Sequence, residues 1–466
     1  MPPSPQSACQ AELPRKSVMG KRAPNRPQAH APRGGEPTLG RPGGWLERPP
    51  NRPQAHAPRG GEPTLGRPGG WLERAPNRPQ AHAPGDSGEQ QRRIRVLIVT
   101  DEMEVGGTQR QIVQMVLGLD RSRFEPTVAY FRNRSFFVDQ LEQAGVPVLL
   151  VAKHARIDPG FVHRLRQTVA AGAFDVMHCF ALTGELWGAV VHALLPARHK
   201  PVLLSSIRNT HDWERPLHRH IKQWVMRRSW QVVANSEAGA QSARRRMQLP
   251  PGLIRVIYNG VTLPKLAPES GATLRIQLGL EPSAPLILFV GRLVEQKDVA
   301  TLMRAMARLR SRHARLILAG DGPLRPALEQ QAALLGLGEH VHFLGQRDDA
   351  AALMSAANLV VLPSLVEGLS NVILEGMMCA RPVIASRTGG NVELVEHERT
   401  GLLFQVGDDT ALADCLQRLI DNPEQAVDLG RAARDKALRR FSLPAMVAAF
   451  ATLYEEAAAL RCAPRP

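Results

Sequence analysis

Aromatic side chains make up only 5% of these 466 residues, and the five cysteines (Cys9, Cys179, Cys379, Cys415, Cys462) stand at no disulfide or metal-ligand spacing. A disulfide scaffold and a cysteine-bound metal are thereby excluded, and a reducing, cytoplasmic location is expected. The longest apolar window, Leu186–Ala197, has 12 residues and includes His192, too short to span a bilayer. The first 25 residues lack a continuous apolar core, so no secretory leader is expected. No Asp-x-Asp pair occurs anywhere, which removes the usual chelate for a metal-bound diphosphate; no obligatory metal and no cofactor are expected. No GxGxxG follows the apolar run Ile94–Thr100, which argues against an NAD-dependent Rossmann oxidoreductase. Gly320-Asp-Gly-Pro323 lacks the Gly-Lys-Ser/Thr ending of a nucleotide P-loop.

What is present is unevenly distributed. Residues 1–92 hold 14 Lys/Arg against 7 Asp/Glu, residues 93–265 hold 24 against 13, and residues 266–466 hold 21 against 23. The middle third is therefore strongly basic and points to an anionic partner such as phospholipid, a phosphorylated ligand or nucleic acid, with a solvated basic surface as the plainer reading. Residues 23–48 and 49–74 are one 26-residue unit that differs only at Ala23 and Pro49, and a partial third copy runs from Ala75 to Pro84. A fixed period suggests a solenoid, but the unit is mostly Pro, Gly, Arg, Ala and polar residues. Two Leu and one Trp per copy cannot offset the entropy of ordering the chain. Residues 1–92 are read as a disordered tail.

From Ile94 the texture changes. Apolar runs at Ile94–Thr100, Thr127–Phe131, Val146–Val151, Asp175–Phe180, Pro201–Ile207 and Trp230–Ser236 alternate with helical stretches such as Gln109–Leu119, Phe161–Ala171, Leu186–Leu195 and Leu217–Ser229. After a Pro-containing connection near Leu263–Pro268 the alternation restarts with Leu286–Val290, Arg315–Ala319, Val341–Leu344, Leu359–Leu362 and Pro382–Ala385. Continuously apolar strands between helices indicate parallel sheets covered on both faces. The expected fold class is α/β, with two doubly wound Rossmann-like domains, 93–265 and 266–442, facing a cleft at the carboxyl ends of their strands. A last helix is expected over 443–466.

The most informative segment is Glu367-Gly-Leu-Ser-Asn-Val-Ile-Leu-Glu375. A strand, a tight Gly-containing turn and a helix amino terminus form an anion site, because unpaired N–H groups and the helix dipole converge there. At a helical rise the two carboxylates lie about 12 Å apart, beyond the roughly 5–9.5 Å of a glycosidase pair. They suit the two ends of a long ligand with an anionic middle, such as a sugar joined to a nucleoside by a diphosphate. Arg292 and Lys297 follow the first strand of the second domain, where a guanidinium and an ammonium can neutralise such a diphosphate. Gly106 and Gly107 follow the first strand of the first domain and let backbone N–H groups approach phosphate or sugar closely.

With these residues in place the chain from Arg93 to Leu460 resembles the retaining nucleotide-sugar glycosyltransferases of family 4, which have the GT-B fold. The Glu-x7-Glu segment is the strongest marker. Val105-Gly-Gly-Thr-Gln109, Asp175-Val-Met-His178, Ala234-Asn-Ser-Glu237, Tyr258-Asn-Gly-Val261, Phe289-Val-Gly-Arg-Leu293 and Thr388-Gly-Gly390 follow in the family's order. The family often has Gly-Gly-Ala-Glu-Arg where this chain has Thr108 and Gln109, so no carboxylate role is carried over there. The resemblance implies transfer of a hexose from a nucleoside diphosphate sugar to a saccharide or lipid-linked acceptor in cell-surface polysaccharide or glycolipid synthesis. Glu375 would take the ribose hydroxyls. Glu367 and the turn Gly368, Leu369, Ser370 and Asn371 would hold the hexose. His178 would face the cleft near the transferred sugar, Arg208 would lie on the acceptor side, and Gly320–Pro323 would form a base slot with Leu344–Arg347.

His218–Trp230 mixes cations with Trp224 and Trp230, and Arg244–Arg246 follow on the next helix. Interleaved basic and aromatic residues suit an anionic bilayer surface, so peripheral attachment to the inner face of the cell membrane is expected. The plainer alternative packs both Trp in the core. A basic nucleic-acid-binding protein is the non-enzymatic alternative; no recognised nucleic-acid module accompanies the charges, and no nucleic-acid partner is expected.

Overall fold

The computed structural model describes residues 92–155, 157–208, 216–264 and 270–462. The tail expected to be disordered and the domain boundary expected at 265/266 lie outside the described residues. Seven parallel strands form one sheet: β1 (Ile94–Val99), β2 (Phe124–Tyr130), β3 (Val148–Leu150), β4 (Val176–Cys179), β5 (Val202–Ile207), β6 (Gln231–Ala234) and β7 (Ile254–Val256). Their order is β3-β2-β1-β4-β5-β6-β7, with registers such as Ile94 beside Phe124 and Val96 beside Val176. Six more form a second parallel sheet: β8 (Leu286–Val290), β9 (Arg315–Ala319), β10 (Val341–Gly345), β11 (Leu359–Leu362), β12 (Val383–Ser386) and β13 (Gly401–Phe404). Their order is β10-β9-β8-β11-β12-β13.

The strands are buried on both faces. Val96, Leu97, Ile98 and Val99 of β1 and Val360, Val361 and Leu362 of β11 are fully buried, which is why these segments carry no polar alternation. Each order reverses once, between β1 and β4 and between β8 and β11. Those two points are where crossovers leave in opposite directions and open a crevice at the strand ends. β7, β13 and the helix Phe136–Gln143 were not expected from the sequence.

The helix Leu443–Cys462 is long and apolar enough to cross a membrane by length and composition alone. Its Phe450, Leu453, Tyr454 and Ala457 are instead buried with Val96, Ile98 and Ile112 of the first sheet's core. Tyr454 reaches through that core to His178. The His178 ring has Nδ1 at 2.9 Å from the Tyr454 hydroxyl and Nε2 at 2.8 Å from Ser206 Oγ, and it is 0% exposed. The expectation that His178 faces the cleft is therefore corrected: the side chain is fully buried and both ring nitrogens are hydrogen-bonded inside the core.

Burial, followed by the charge of Arg208, holds the His178 imidazole well below its ordinary value of 6.5. The unfolded chain binds a proton there that the folded chain refuses. Stability therefore falls as pH drops below 6.5, by about 1.4 kcal/mol per pH unit, until the depressed folded value is reached. Urea unfolding from pH 8 to pH 5 is expected to show this slope, and His178→Asn to remove that part of it. A variant with the wild-type slope would assign the acid sensitivity to other groups.

Candidate functional site at the two sheet switch points

The loops after β8 and β11 meet at the switch point of the second sheet. Lys297 Nζ lies 2.5 Å from Glu367 Oε1, which also accepts the Ser364 hydroxyl at 2.6 Å. The two side chains are 18% and 9% exposed. Arg292 is exposed on the same loop, and its guanidinium makes no ion pair with the described residues. Asp298 ends the loop in the left-handed region and caps the helix Val299–Arg308 through Thr301 N, which turns the chain sharply and leaves Lys297 facing Glu367.

The turn Gly368–Asn371 runs into the helix Asn371–Met378, whose first turn Ser370 caps by accepting from Ile373 N. This turn allows no extra atoms. A Cβ on Gly368 would stand 2.1 Å from Arg208 O of the first sheet, and one on Gly389 (φ 48°) would stand 1.9 Å from Glu367 O. Asn259 donates to Leu369 O at 3.2 Å and to Asn371 Oδ1 at 2.7 Å, while Asn371 donates to Gly107 O at 3.0 Å. Gly106 precedes the helix Gly107–Gly118 with no side-chain cap, so the first N–H groups of that helix are not taken by a capping side chain. Gly106 and Gly107 therefore lie against the same turn as Glu367, although 260 residues separate them in sequence.

Eight residues on, Glu375 meets Arg110 of the first sheet's helix, Oε1 to Nη1 at 2.6 Å. Its other oxygen has no partner among the described residues. Burial raises the Glu375 carboxyl, opposed by the charge and hydrogen bond of Arg110. Arg110 was not singled out from the sequence, yet it carried a signal: a cation near a helix amino terminus opposes the dipole and needs a partner elsewhere. Glu375 and Arg110 sit on the wall of a cavity of about 810 Å³, shared with Val105, Phe136, Gln346 and Arg347. Of the expected base slot, Gln346 and Arg347 line the cavity. Gly320–Pro323 does not: Gly320 donates to Gly345 O, and Asp321 O accepts Leu293 N, so the segment packs behind the Arg292 loop.

A further link closes the seam. Glu393 accepts Glu237 N at 2.9 Å and Ala238 N at 2.8 Å, so a carboxylate of the second half caps a helix of the first. The Trp residues expected on a membrane face are only partly available. Trp224 and Trp230 pack against the first sheet's cores, and Arg228 lies 4.3 Å over the Trp224 ring. Among the described residues no group of three or more His, Cys, Asp or Glu side chains is arranged to hold a metal ion.

The profile of Glycosyltransferase Family 4 matches residues 105–264, and that of Glycosyl transferases group 1 matches residues 284–422. The D-inositol 3-phosphate glycosyltransferase of Saccharomonospora viridis is 31% identical over 308 residues, which cover 62% of this chain and 71% of that protein. The chain belongs to the GT-B glycosyltransferases related to family 4. The enzyme of the same description from Salinispora tropica is 32% identical over 64% of this chain and 67% of its own. Among solved structures, Anabaena HepE in complex with UDP-glucose superposes with a TM-score of 0.71 at 26% identity, covering 78% of this chain and 100% of that one. Two Rossmann-like domains with a central cleft are thus the GT-B fold, and this glycosyltransferase is an enzyme that depends on a nucleoside diphosphate sugar.

Proposed function

We propose that this glycosyltransferase moves a hexose, with retained anomeric configuration, from a nucleoside diphosphate sugar to a saccharide or lipid-linked acceptor in cell-surface polysaccharide or glycolipid synthesis. One observation supports the reading: Lys297, on the loop that also bears Arg292, pairs with Glu367 just ahead of the Gly368–Asn371 turn at the second sheet's switch point, and that turn meets Gly107 of the first half. The diphosphate lies between these cations and the two sets of backbone N–H groups. Its ribose reaches the free oxygen of Glu375, and its base enters the cavity beside Gln346 and Arg347. HepE binds UDP-glucose, so UDP-sugars are the first donors to try.

The acceptor hydroxyl attacks the anomeric carbon from the face that the diphosphate leaves. The carbon–phosphate-oxygen bond breaks, the new glycosidic bond forms, and the acceptor proton passes to the departing oxygen. Glu367 takes no covalent part, since its carboxylate is bound to Lys297 and Ser364; it positions the hexose. An α-linked donor is expected to give an α-linked product by proton NMR, and a β-linked product would overturn the retaining assignment. Glu375→Ala is expected to weaken donor binding roughly 10- to 150-fold, as loss of a hydrogen bond to a charged group implies, while Glu367→Ala mainly lowers turnover. Unchanged donor Kd and kcat in either variant would remove that residue from the site.

Arg292 and Lys297 supply positive charge where a metal would otherwise sit, so activity is expected to persist in EDTA. Complete loss, restored by Mg²⁺ or Mn²⁺, would overturn that assignment. The exposed Arg227, Arg228, Arg245 and Arg246 of the first half form the basic face proposed to rest on an anionic inner-membrane surface from the cytoplasm.

A further inference from the structure

Arg208, a cation of the first half, has no counter-charge among the described residues. Arg208 follows β5, adjacent to β4, and its guanidinium lies 5.6 Å over the ring of Phe180, the residue that follows β4. Its Nε is buried without a hydrogen-bond partner, and no carboxylate among the described residues pairs with it. Burial pushes the group down to about 10. Arg208 is half-buried, and a guanidinium even partly withdrawn from water gains by sitting against a carboxylate or another anion. Lys222, 5% exposed nearby, obeys that rule with Glu185. Arg208 does not.

Its surroundings repeat the pattern. Asn235 and Asn259, each 3% exposed, leave their Oδ1 atoms without partners. Their amide hydrogens go to Arg208 O at 3.4 Å and to Leu369 O at 3.2 Å. The oxygens are therefore the free ends, suited to accept hydroxyls. All three residues follow the carboxyl ends of strands in the first sheet and touch the Gly368–Asn371 turn. Unsatisfied buried polar groups are rare in folded proteins and call for an explanation. Here they collect beside the Gly368–Asn371 turn.

We infer that Arg208 binds an anionic group, phosphate or carboxylate, carried by the acceptor, and so selects acidic acceptors over neutral ones. This rests on the glycosyltransferase reading of the cleft and adds the chemical class of the second substrate. Arg208 receives the anion while Asn235 and Asn259 accept hydroxyls of the same molecule. The acceptor hydroxyl is thereby brought to the hexose held at Gly368–Asn371. Arg292 and Lys297 lie at the donor diphosphate instead, so the two cationic centres serve the two substrates.

The test is calorimetric titration of the full chain with inorganic phosphate, first alone and then saturated with the nucleoside diphosphate that raises its melting temperature most. With the nucleotide in place the donor's diphosphate seat is filled. The wild type is expected to bind one further phosphate. Arg208→Gln is expected to bind it roughly 10- to 150-fold more weakly, the range for losing a hydrogen bond to a charged group, with nucleotide affinity unchanged and melting temperature not lowered. Arg208→Lys keeps the charge and is expected to retain part of the phosphate affinity; it serves if the Gln variant fails to fold. Phosphate that binds only without nucleotide, or equally to wild type and variants, or not at all, would overturn the inference. So would a variant that loses nucleotide affinity and thermal stability together, which would make Arg208 structural. A wild-type preference for a nucleotide uronate over the nucleotide hexose, lost in Arg208→Gln, would place the anion on the transferred sugar and also overturn it. Nucleotide binding and slow donor hydrolysis in water report the glycosyltransferase reading separately, since neither needs an acceptor.

Discussion

Lys297→Met is expected to lower turnover by about 10²- to 10³-fold, the loss that follows when one preorganised positive contact to the developing charge of a leaving group, the role proposed for Lys297, is removed. Lys297 is held 2.5 Å from Glu367 at the mouth of the second sheet's switch point, and both side chains are largely buried. The variant therefore does two things at once. It removes the ammonium proposed to face the diphosphate, and it leaves Glu367 with only the Ser364 hydroxyl against its charge among the described residues. The second effect appears as lost stability and the first as lost rate, so the double variant Lys297→Met/Glu367→Gln separates them. Stability is expected to recover in the double variant, because the uncompensated carboxylate is gone, while turnover stays low. Steady-state rates and thermal melts of the three proteins decide the matter. Full recovery of turnover in the double variant would mean that Lys297 serves only to neutralise Glu367.

Much of this architecture could be read from the chain because the same physical rule applied everywhere along it. β8, β9 and β11 lie where continuous apolar runs place them, since a strand covered on both faces has no polar positions to blur its limits. The residues proposed for the donor side stood out in the sequence for a related reason. Gly106, Gly107, Arg292, Lys297 and Glu367 all lie on connections that leave strand ends, and Glu375 follows on the next helix, where such connections carry chemistry at fixed spacing. The structure brings Gly107 and Asn371 into hydrogen-bond contact, an adjacency that local spacing alone cannot supply. His178 shows where such reading fails. It too ends a strand, but the helix Leu443–Cys462 returns to cover it, and Tyr454 takes its Nδ1. That contact joins residues 276 positions apart, and no local pattern predicts which strand end a distant helix will seal. The Arg110–Glu375 and Glu393–Glu237 contacts are equally nonlocal. Trp224 is a different case: amphipathic spacing does not say which side of a helix meets the core, and a partly buried ring with Arg228 stacked on it is compatible with both readings of the sequence.

Lys222 lay in that same basic stretch and turns out to be a core charge, which gives the largest expected change in stability. Its ammonium pairs with Glu185 and donates to Ser206 O at 2.6 Å, while Ser206 N donates to Glu185 Oε1 at 2.8 Å. The two side chains are 6% and 0% exposed. Together they clamp both backbone groups of Ser206, the residue whose hydroxyl holds His178 and which lies two positions before Arg208. Lys222→Met is expected to destabilise the protein by about 3–5 kcal/mol, because Glu185 stays buried without its counter-charge. Removing both charges with Lys222→Met/Glu185→Gln is expected to restore most of that loss, since a neutral Gln can still accept from Ser206 N. Urea unfolding of the two variants measures the coupling as a double-mutant cycle. A double variant as unstable as the single one would show that the pair itself, rather than the stranded carboxylate, holds the end of β5 in place. Acceptor selection through Arg208 would then depend on this buried pair as well as on the open cleft.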